Sequence, residues 1–126
     1  MTDKQEKYWI VAGSIIMLLA VVLGAFAAHA LKAQLSPAYM AVFKTANQYH
    51  FIHGLAIFIC MLIPKLNYKL RNAALIAFSS GIVLFSGSLY ILAISGMKKL
   101  GMVTPFGGLA FIIGWALLAL AAIKAE

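Results

Sequence analysis

Residues 8–31 read YWIVAGSIIMLLAVVLGAFAAHAL, an apolar run without a single Lys, Arg, Asp or Glu. Such a run is typical of a transmembrane helix, because about 20 residues of α-helix cross the hydrocarbon core of a bilayer. The preceding Lys4 and Lys7 and the later Ala28-His29-Ala30 also resemble a secretory signal peptide with its cleavage site. The run is longer than the apolar region of a signal peptide, so we predict a first helix that is retained.

Helix-start and helix-stop signals divide the rest of the chain. Ser36-Pro37 and Thr104-Pro105 each combine a capping hydroxyl with a proline suited to the first helical position. Pro64 ends the second apolar block, and Gly96 is a C-terminal cap for the third. The sequence therefore predicts one all-α integral membrane domain over residues 1–126, a four-transmembrane-helix bundle built from two helical hairpins. The predicted helices span about 8–31, 37–63, 72–95 and 105–123.

Composition excludes several classes of protein. The 126 residues are 64% hydrophobic and 10% charged, against roughly half and roughly a quarter in soluble domains. Cys60 is the only cysteine, which excludes an intrachain disulfide framework and a CxxC motif. The net charge of +7 is scattered between apolar blocks, so we expect no nucleic-acid partner and interpret the basic residues as flanks at the membrane surface.

The basic residues also predict an orientation. Four spans place both termini on one side of the membrane. That side carries Lys4, Lys7, Lys65, Lys69, Arg71 and Lys124, and the other carries Lys32, Lys44, Lys98 and Lys99. The positive-inside rule then puts both termini in the cytoplasm.

Small residues recur at helical spacing and are candidates for close helix packing. Lipid tails give helices no hydrophobic reason to associate, so small side chains that admit a neighbouring backbone are common at their interfaces. The candidates are Ala20, Gly24, Ala28, Ala77, Gly81, Gly107, Ala110 and Gly114. These positions serve packing within one bundle, a homo-oligomer interface, or both.

Most polar side chains fall in one layer of the predicted topology, at the extracytoplasmic end of the bundle. The candidate site residues are His29, Lys44, Asn47, Gln48, His50, His53, Ser86, Ser88 and Tyr90. Three interpretations are open. The side chains hydrogen-bond one another because unpaired polar groups are costly in lipid; they line a pocket for a lipid headgroup, a quinone or another small molecule; or His29, His50 and His53 bind a metal ion or haem iron.

An enzyme is not expected. The only carboxylates are Asp3, Glu6 and Glu126, all at the termini, so no acid is available to orient a histidine base or to build paired-carboxylate catalysis. The missing acid also weakens the metal hypothesis, because ligating histidines usually donate to a carboxylate or carbonyl behind them. We predict no cofactor.

Four blocks carry a resemblance to a known family. They are GAFAAHALK (residues 24–32), FKTANQYHFIHGLA (43–56), FSGSLYILAISG (85–96) and TPFGGLAFIIGW (104–115). In this order they resemble the YgdD/YwdK-like proteins, small bacterial inner-membrane proteins of unknown function with a eukaryotic four-span relative. The resemblance implies four spans in the bacterial plasma membrane and no established reaction, with a loose link to envelope integrity.

The sequence as a whole therefore predicts a non-enzymatic protein that stabilises the membrane or assists a larger membrane complex. Its expected partners are membrane lipids and further copies of the same chain or other membrane proteins. The alternative is a module that binds a small molecule, quinone, metal or haem through the histidines.

Overall fold

A computed structural model describes residues 2–125, and every regular element in that range is helical. The elements are α1 (Asp3–His29), α2 (Pro37–Leu62), α3 (Tyr68–Gly81), a π-helical segment (Ile82–Gly87), α4 (Ser88–Ser95), a 3₁₀ helix (Lys98–Met102) and α5 (Thr104–Ile123). The π-helical segment joins α3 and α4 into one continuous helix of 28 residues.

Two helices begin earlier than the apolar pattern predicts, because polar caps extend them. Thr2 caps α1 in a reciprocal capping box with Gln5, so α1 starts at Asp3 rather than near residue 8. Asn67 accepts a hydrogen bond from the backbone N–H of Leu70 at 3.2 Å. As a result α3 starts at Tyr68, and residues 68–71 are its first turn rather than part of a connector.

The other predicted boundaries are mostly confirmed. Ser36 caps α2 through the Tyr39 N–H, with Pro37 as the first helical residue. Gly96 ends α4 with φ 73°, a left-handed conformation that glycine adopts without strain. The predicted Thr104 cap is wrong: Thr104 is already helical and has no capping hydrogen bond, because its hydroxyl bonds to Ser88 and to the Leu100 carbonyl.

Side-chain pairs show that consecutive helices alternate in direction around α2. His50 and Asn47 of α2 reach back to Ile16 and Ala20 of α1, so these two helices are antiparallel. Across the other interface, Gly107 of α5 lies beside the π-helical segment and Gly114 lies beside Phe78 of α3, so α5 is antiparallel to the long third helix. His50 lies beside Tyr90 and His53 beside Phe78, so α2 is also antiparallel to the long third helix. α2 packs against α1, α3 and α4 and lies near the centre of the structure.

The core divides into two clusters along α2. Ile57, Cys60, Leu75, Phe78 and Phe111 belong to the first, between α2, α3 and α5. The second joins α1, α2 and α4 and includes Ala27, Leu31, Phe43, Ala46, Tyr90 and Ala93. Three polar side chains of α2, those of Asn47, His50 and His53, lie between these clusters, in the middle of the bundle.

Glycines make the α3–α5 interface close. A Cβ on Gly107 would stand 2.7 Å from the carbonyl carbon of Leu84, so only glycine admits this backbone. Gly81 and Gly114 face the rings of Phe111 and Phe78 in the same interface. On α1, Ala20 is fully buried, whereas Ala28, which we predicted as a packing position, is exposed.

Three helices are long and apolar enough to cross a membrane: Asp3–His29, Tyr68–Ser95 and Lys98–Ile123. Their outward faces carry large apolar side chains, including Leu18, Val83, Phe106 and Ile112, each exposed by 60% or more. Water would not tolerate such a surface, but lipid would. The same criterion of length and composition does not include α2, which carries polar candidate residues between Lys44 and His53.

Candidate functional site

A hydrogen-bonded network ties α1, α2 and α4 together at mid-height. The Asn47 amide nitrogen donates to the Ala20 carbonyl at 2.9 Å and to the Tyr90 hydroxyl at 3.0 Å. His50 lies beside the same hydroxyl, with Nδ1 2.9 Å from it, and its Nε2 is 2.8 Å from the Ile16 carbonyl. Three side chains and two backbone carbonyls thus form one buried connection between three helices.

The partners of His50 assign its tautomer. A carbonyl oxygen only accepts, so Nε2 carries the proton that is donated to Ile16. In the neutral imidazole Nδ1 is then an acceptor, and the Tyr90 hydroxyl donates to it. The Tyr90 oxygen in turn accepts from Asn47. The network therefore has a single direction, from Asn47 through Tyr90 and His50 to the backbone of α1.

His53 makes a second, separate connection from α2 to α5. Its Nδ1 donates to the Tyr49 carbonyl at 2.8 Å, and its Nε2 accepts from the indole N–H of Trp115 at 3.0 Å. The ring also stacks on Phe111 with the centroids 3.6 Å apart. His53 is thus the Nδ1–H tautomer, the opposite of His50, and both of its nitrogens have partners.

Ser86 and Ser88 occupy different environments. The Ser88 hydroxyl is 2.7 Å from the Thr104 hydroxyl and 3.0 Å from the Phe85 carbonyl, so it links the long third helix to the start of α5. Ser86 is fully buried in the π-helical segment, and its Oγ has no hydrogen-bond partner. Neither hydroxyl belongs to the network of His50.

The structure does not bring the three histidines together. His29 is exposed at the end of α1, whereas His50 contacts Ile16, about 20 Å further down the same helix at 1.5 Å per residue. His29 lies at the end of α1, but His50 lies near mid-height, so the expected single layer at one end of the bundle is wrong for His50. Among residues 2–125 no group of three His, Cys, Asp or Glu side chains is placed to hold a metal ion, and the nitrogens of His50 and His53 already have partners.

Lys44 and Gln48 lie outside these connections, on the exposed side of α2. Each lines a groove. The first, called here the lysine groove, has a volume of about 520 Å³ between α1 and the start of α2. Its lining includes Gly24, Ala27, Ala28, Lys32, Phe43, Lys44 and Asn47. The second, called here the aromatic groove, has a volume of about 690 Å³, and its lining includes Gln48, Tyr49, His53, Phe85, Gly108, Phe111 and Trp115.

A third cavity, of about 490 Å³, is lined mostly by aliphatic side chains of α1, the π-helical segment and α4, with His50 and Tyr90 at its edge. It contains almost no polar surface, which suits a lipid chain rather than a polar ligand.

Sequence reasoning missed Trp115, Phe111 and Tyr49 as neighbours of His53. A signal was present: Phe111 and Trp115 are four residues apart on α5, as Tyr49 and His53 are on α2, so each pair shares one helix face. The sequence does not say which faces meet. That pairing depends on the packing of α5 against the long third helix.

Residues 23–108 match the family model described as a protein of unknown function, DUF423. The UPF0382 membrane protein YwdK of Bacillus subtilis is 46% identical over 121 residues, which are 94% of this chain and 98% of that protein. UPF0382 membrane proteins of Staphylococcus aureus and Staphylococcus epidermidis are each 42% identical over 118 residues, 94% of this chain and 97% of theirs. No solved structure matches. The chain therefore belongs to the DUF423 family of uncharacterised membrane proteins, as its YwdK-like sequence blocks predict.

Proposed function

We propose that this protein crosses the bacterial plasma membrane four times with both termini in the cytoplasm. In this proposal it catalyses no reaction and acts through contacts with lipids and with other membrane proteins, including further copies of itself. The observation that best supports this proposal is that all four ring nitrogens of His50 and His53 already make hydrogen bonds between or within helices. The remaining surface of the helices is largely apolar and faces outward.

Helix length and packing support α2 as the fourth span. Its 26 residues extend about 39 Å, longer than the hydrocarbon core. It runs antiparallel to α1, which is long and apolar enough to cross a membrane, and packs against the long third helix as well. Its polar residues Asn47, His50 and His53 find partners inside the bundle, which removes the main cost of placing them in lipid.

Cysteine accessibility tests the four-span proposal. In a Cys60→Ala background, single cysteines replace Gln34 and Lys99 in two connections, and Thr2 and Lys65 at the predicted cytoplasmic side. A membrane-impermeant maleimide applied to intact cells should label Gln34→Cys and Lys99→Cys only, while Thr2→Cys and Lys65→Cys react after lysis. Labelling of Gln34→Cys together with Lys65→Cys in intact cells would contradict the proposal, because those residues flank α2.

A second candidate function follows from the aromatic groove. Tyr49, Phe85, Phe111 and Trp115 present flat rings around it, which suits a flat apolar headgroup such as a quinone. The amount of quinone extracted from the purified protein should then approach one molecule per chain. It should fall sharply in the variant Gly108→Leu, whose added side chain fills the groove from the side of α5. Equal trace amounts in both proteins would remove this candidate.

A further inference from the structure

The lysine groove combines a cationic rim with an apolar floor. Lys32 follows the end of α1, Lys44 lies on α2, and both side chains are exposed. Below them the groove is lined by Ala27 and Phe43, which belong to the buried core cluster of this half of the bundle. A ligand that fits must therefore present an anionic part to the rim and an apolar part to the floor.

Small residues keep the floor open. Gly24 and Ala28 are one turn apart on α1 and leave the groove between the helices unfilled. A Cβ on Gly24 would stand 2.9 Å from the Oδ1 of Asn47. Both amide hydrogens of Asn47 point into the bundle, toward Ala20 and Tyr90, so its amide oxygen is left on the groove side as a hydrogen-bond acceptor.

Within residues 2–125, which the structure describes, neither lysine of the groove has a carboxylate within reach. Residues 7–125 contain neither Asp nor Glu. Asp3 and Glu6 are in the first turn of α1, whose 27 residues put about 40 Å between them and Lys32. Among the described residues, no carboxylate therefore balances the charge of Lys32 and Lys44.

In the four-span proposal, the groove lies at the headgroup region of a bilayer. Lys44 lies eight residues beyond the Ser36 cap, about 12 Å along α2, and a lysine stem of this length lets the ammonium group reach the interface. The phosphate of a phospholipid lies in the same zone, with its acyl chains directed toward the apolar floor. A soluble anion would use the lysines and leave that floor empty.

We propose that the lysine groove is a binding site for one anionic phospholipid. The phosphate lies between Lys32 and Lys44, a headgroup hydroxyl donates to Asn47 Oδ1, and an acyl chain lies along Gly24 and Ala28. The inference deepens the proposed function, because it names a lipid class and a place for the lipid contacts on which that function rests.

Native mass spectrometry of the detergent-solubilised protein tests the site. Phosphatidylglycerol or phosphatidylcholine is titrated into wild type, Lys32→Ala/Lys44→Ala and the charge-matched control Lys98→Ala/Lys99→Ala. Each lysine near an anionic headgroup contributes about a fivefold factor, so the groove variant should bind phosphatidylglycerol about 30-fold more weakly. The control should bind as wild type does, and phosphatidylcholine should bind weakly to all three. Equal weakening in both double variants would overturn the proposal, because it would indicate a general surface-charge effect.

Two further binding measurements test the groove itself, one with a variant that fills it and one with inorganic phosphate. Ala28→Trp fills the floor without changing any charge and should abolish the phosphatidylglycerol adduct; an unchanged adduct overturns the proposal. Inorganic phosphate should not bind with the same lysine dependence, and if it does, the lipid assignment is wrong. Helix content and elution volume must match wild type in every variant. These measurements need no assumption about orientation, so a failed cysteine-labelling pattern would contradict the four-span proposal alone.

Discussion

Tyr90 joins His50 to Asn47 through one hydroxyl, which makes it the residue on which the α1–α2–α4 network depends. Hydrogen bonds between membrane helices contribute modestly on average, because the unfolded chain in the membrane also finds partners. A buried group that loses its partner is more costly than that average. Changes at single residues of the network should therefore be visible in the stability of the whole bundle.

Tyr90→Phe removes the shared hydroxyl and leaves both the Nδ1 of His50 and one amide hydrogen of Asn47 without a hydrogen-bond partner. We expect the free energy of unfolding to fall by about 1–2 kcal/mol. Denaturation by SDS from mild-detergent micelles, followed by circular dichroism, measures this change. Tyr49→Phe is the matched control, since the Tyr49 hydroxyl takes no part in the network. Equal losses in the two variants would show that the effect does not depend on the hydrogen bonds of the Tyr90 hydroxyl.

Ser86 and Ser88 make a second pair for comparison at the scale of single residues. Ser86→Ala removes a buried hydroxyl that has no hydrogen-bond partner. The free energy of unfolding should therefore stay the same or rise by up to about 1 kcal/mol. Ser88→Ala breaks the 2.7 Å bond to Thr104 and should lower stability by about 1 kcal/mol. The same SDS titration measures both. A larger loss for Ser86→Ala than for Ser88→Ala would mean that a water molecule bridges the Ser86 hydroxyl to the backbone.

At the scale of elements, the π-helical segment changes which neighbour the long third helix faces. Its α3 portion packs chiefly on α5, and its α4 portion packs on α2. A π turn contains more residues than an α turn and so rotates the side chains that follow. Gly107 fits beside this wide turn, with its Cα close to the backbone of Leu84 and Phe85.

Gly107→Ala should therefore be severely destabilising, because its Cβ meets backbone rather than a movable side chain. We expect a loss of about 2 kcal/mol or more. Gly108→Ala next to it is the control, since that Cβ would stand 3.7 Å from the Phe85 ring, an ordinary contact distance. Alanine also favours the helix over glycine, so this variant should be neutral or slightly stabilised. A neutral Gly107→Ala would contradict the close approach of α5 to the π-helical segment.

At the scale of elements, the sequence predicts helix ends better than it predicts the positions of polar side chains along the bundle. Ser36-Pro37 and Gly96 located helix ends because caps act through neighbouring backbone groups. Thr2 with Gln5, and Asn67, are equally local signals, but the prediction rests on the apolar pattern and does not include them. The positions of His29 and His50 along the bundle axis cannot be predicted from such local signals. Polar residues at the start of α2 suggested the membrane surface, whereas their hydrogen-bond partners are carbonyls halfway along α1.

At the scale of the whole molecule, Cys60 reports on the integrity of the bundle. It is fully buried in the core cluster between α2, α3 and α5. A maleimide should reach its thiol only through large-scale opening, so the folded protein in mild detergent should react at least about a thousandfold more slowly than the SDS-denatured chain. Thiol labelling over time measures the ratio. Rapid labelling of folded protein would show that the α2–α3 interface opens locally.

The opposite tautomers of His50 and His53 have a spectroscopic consequence. A ring nitrogen without a proton resonates far from a protonated one in nitrogen-15 spectra. The unprotonated nitrogen is δ1 in His50 and ε2 in His53, as their carbonyl partners require. With His29 as a solvent-exposed reference, the two signals are built-in probes. One reports on the α1–α2–α4 connection and the other on the α2–α5 connection, so a ligand that disturbs one half of the bundle can be located by the signal it moves.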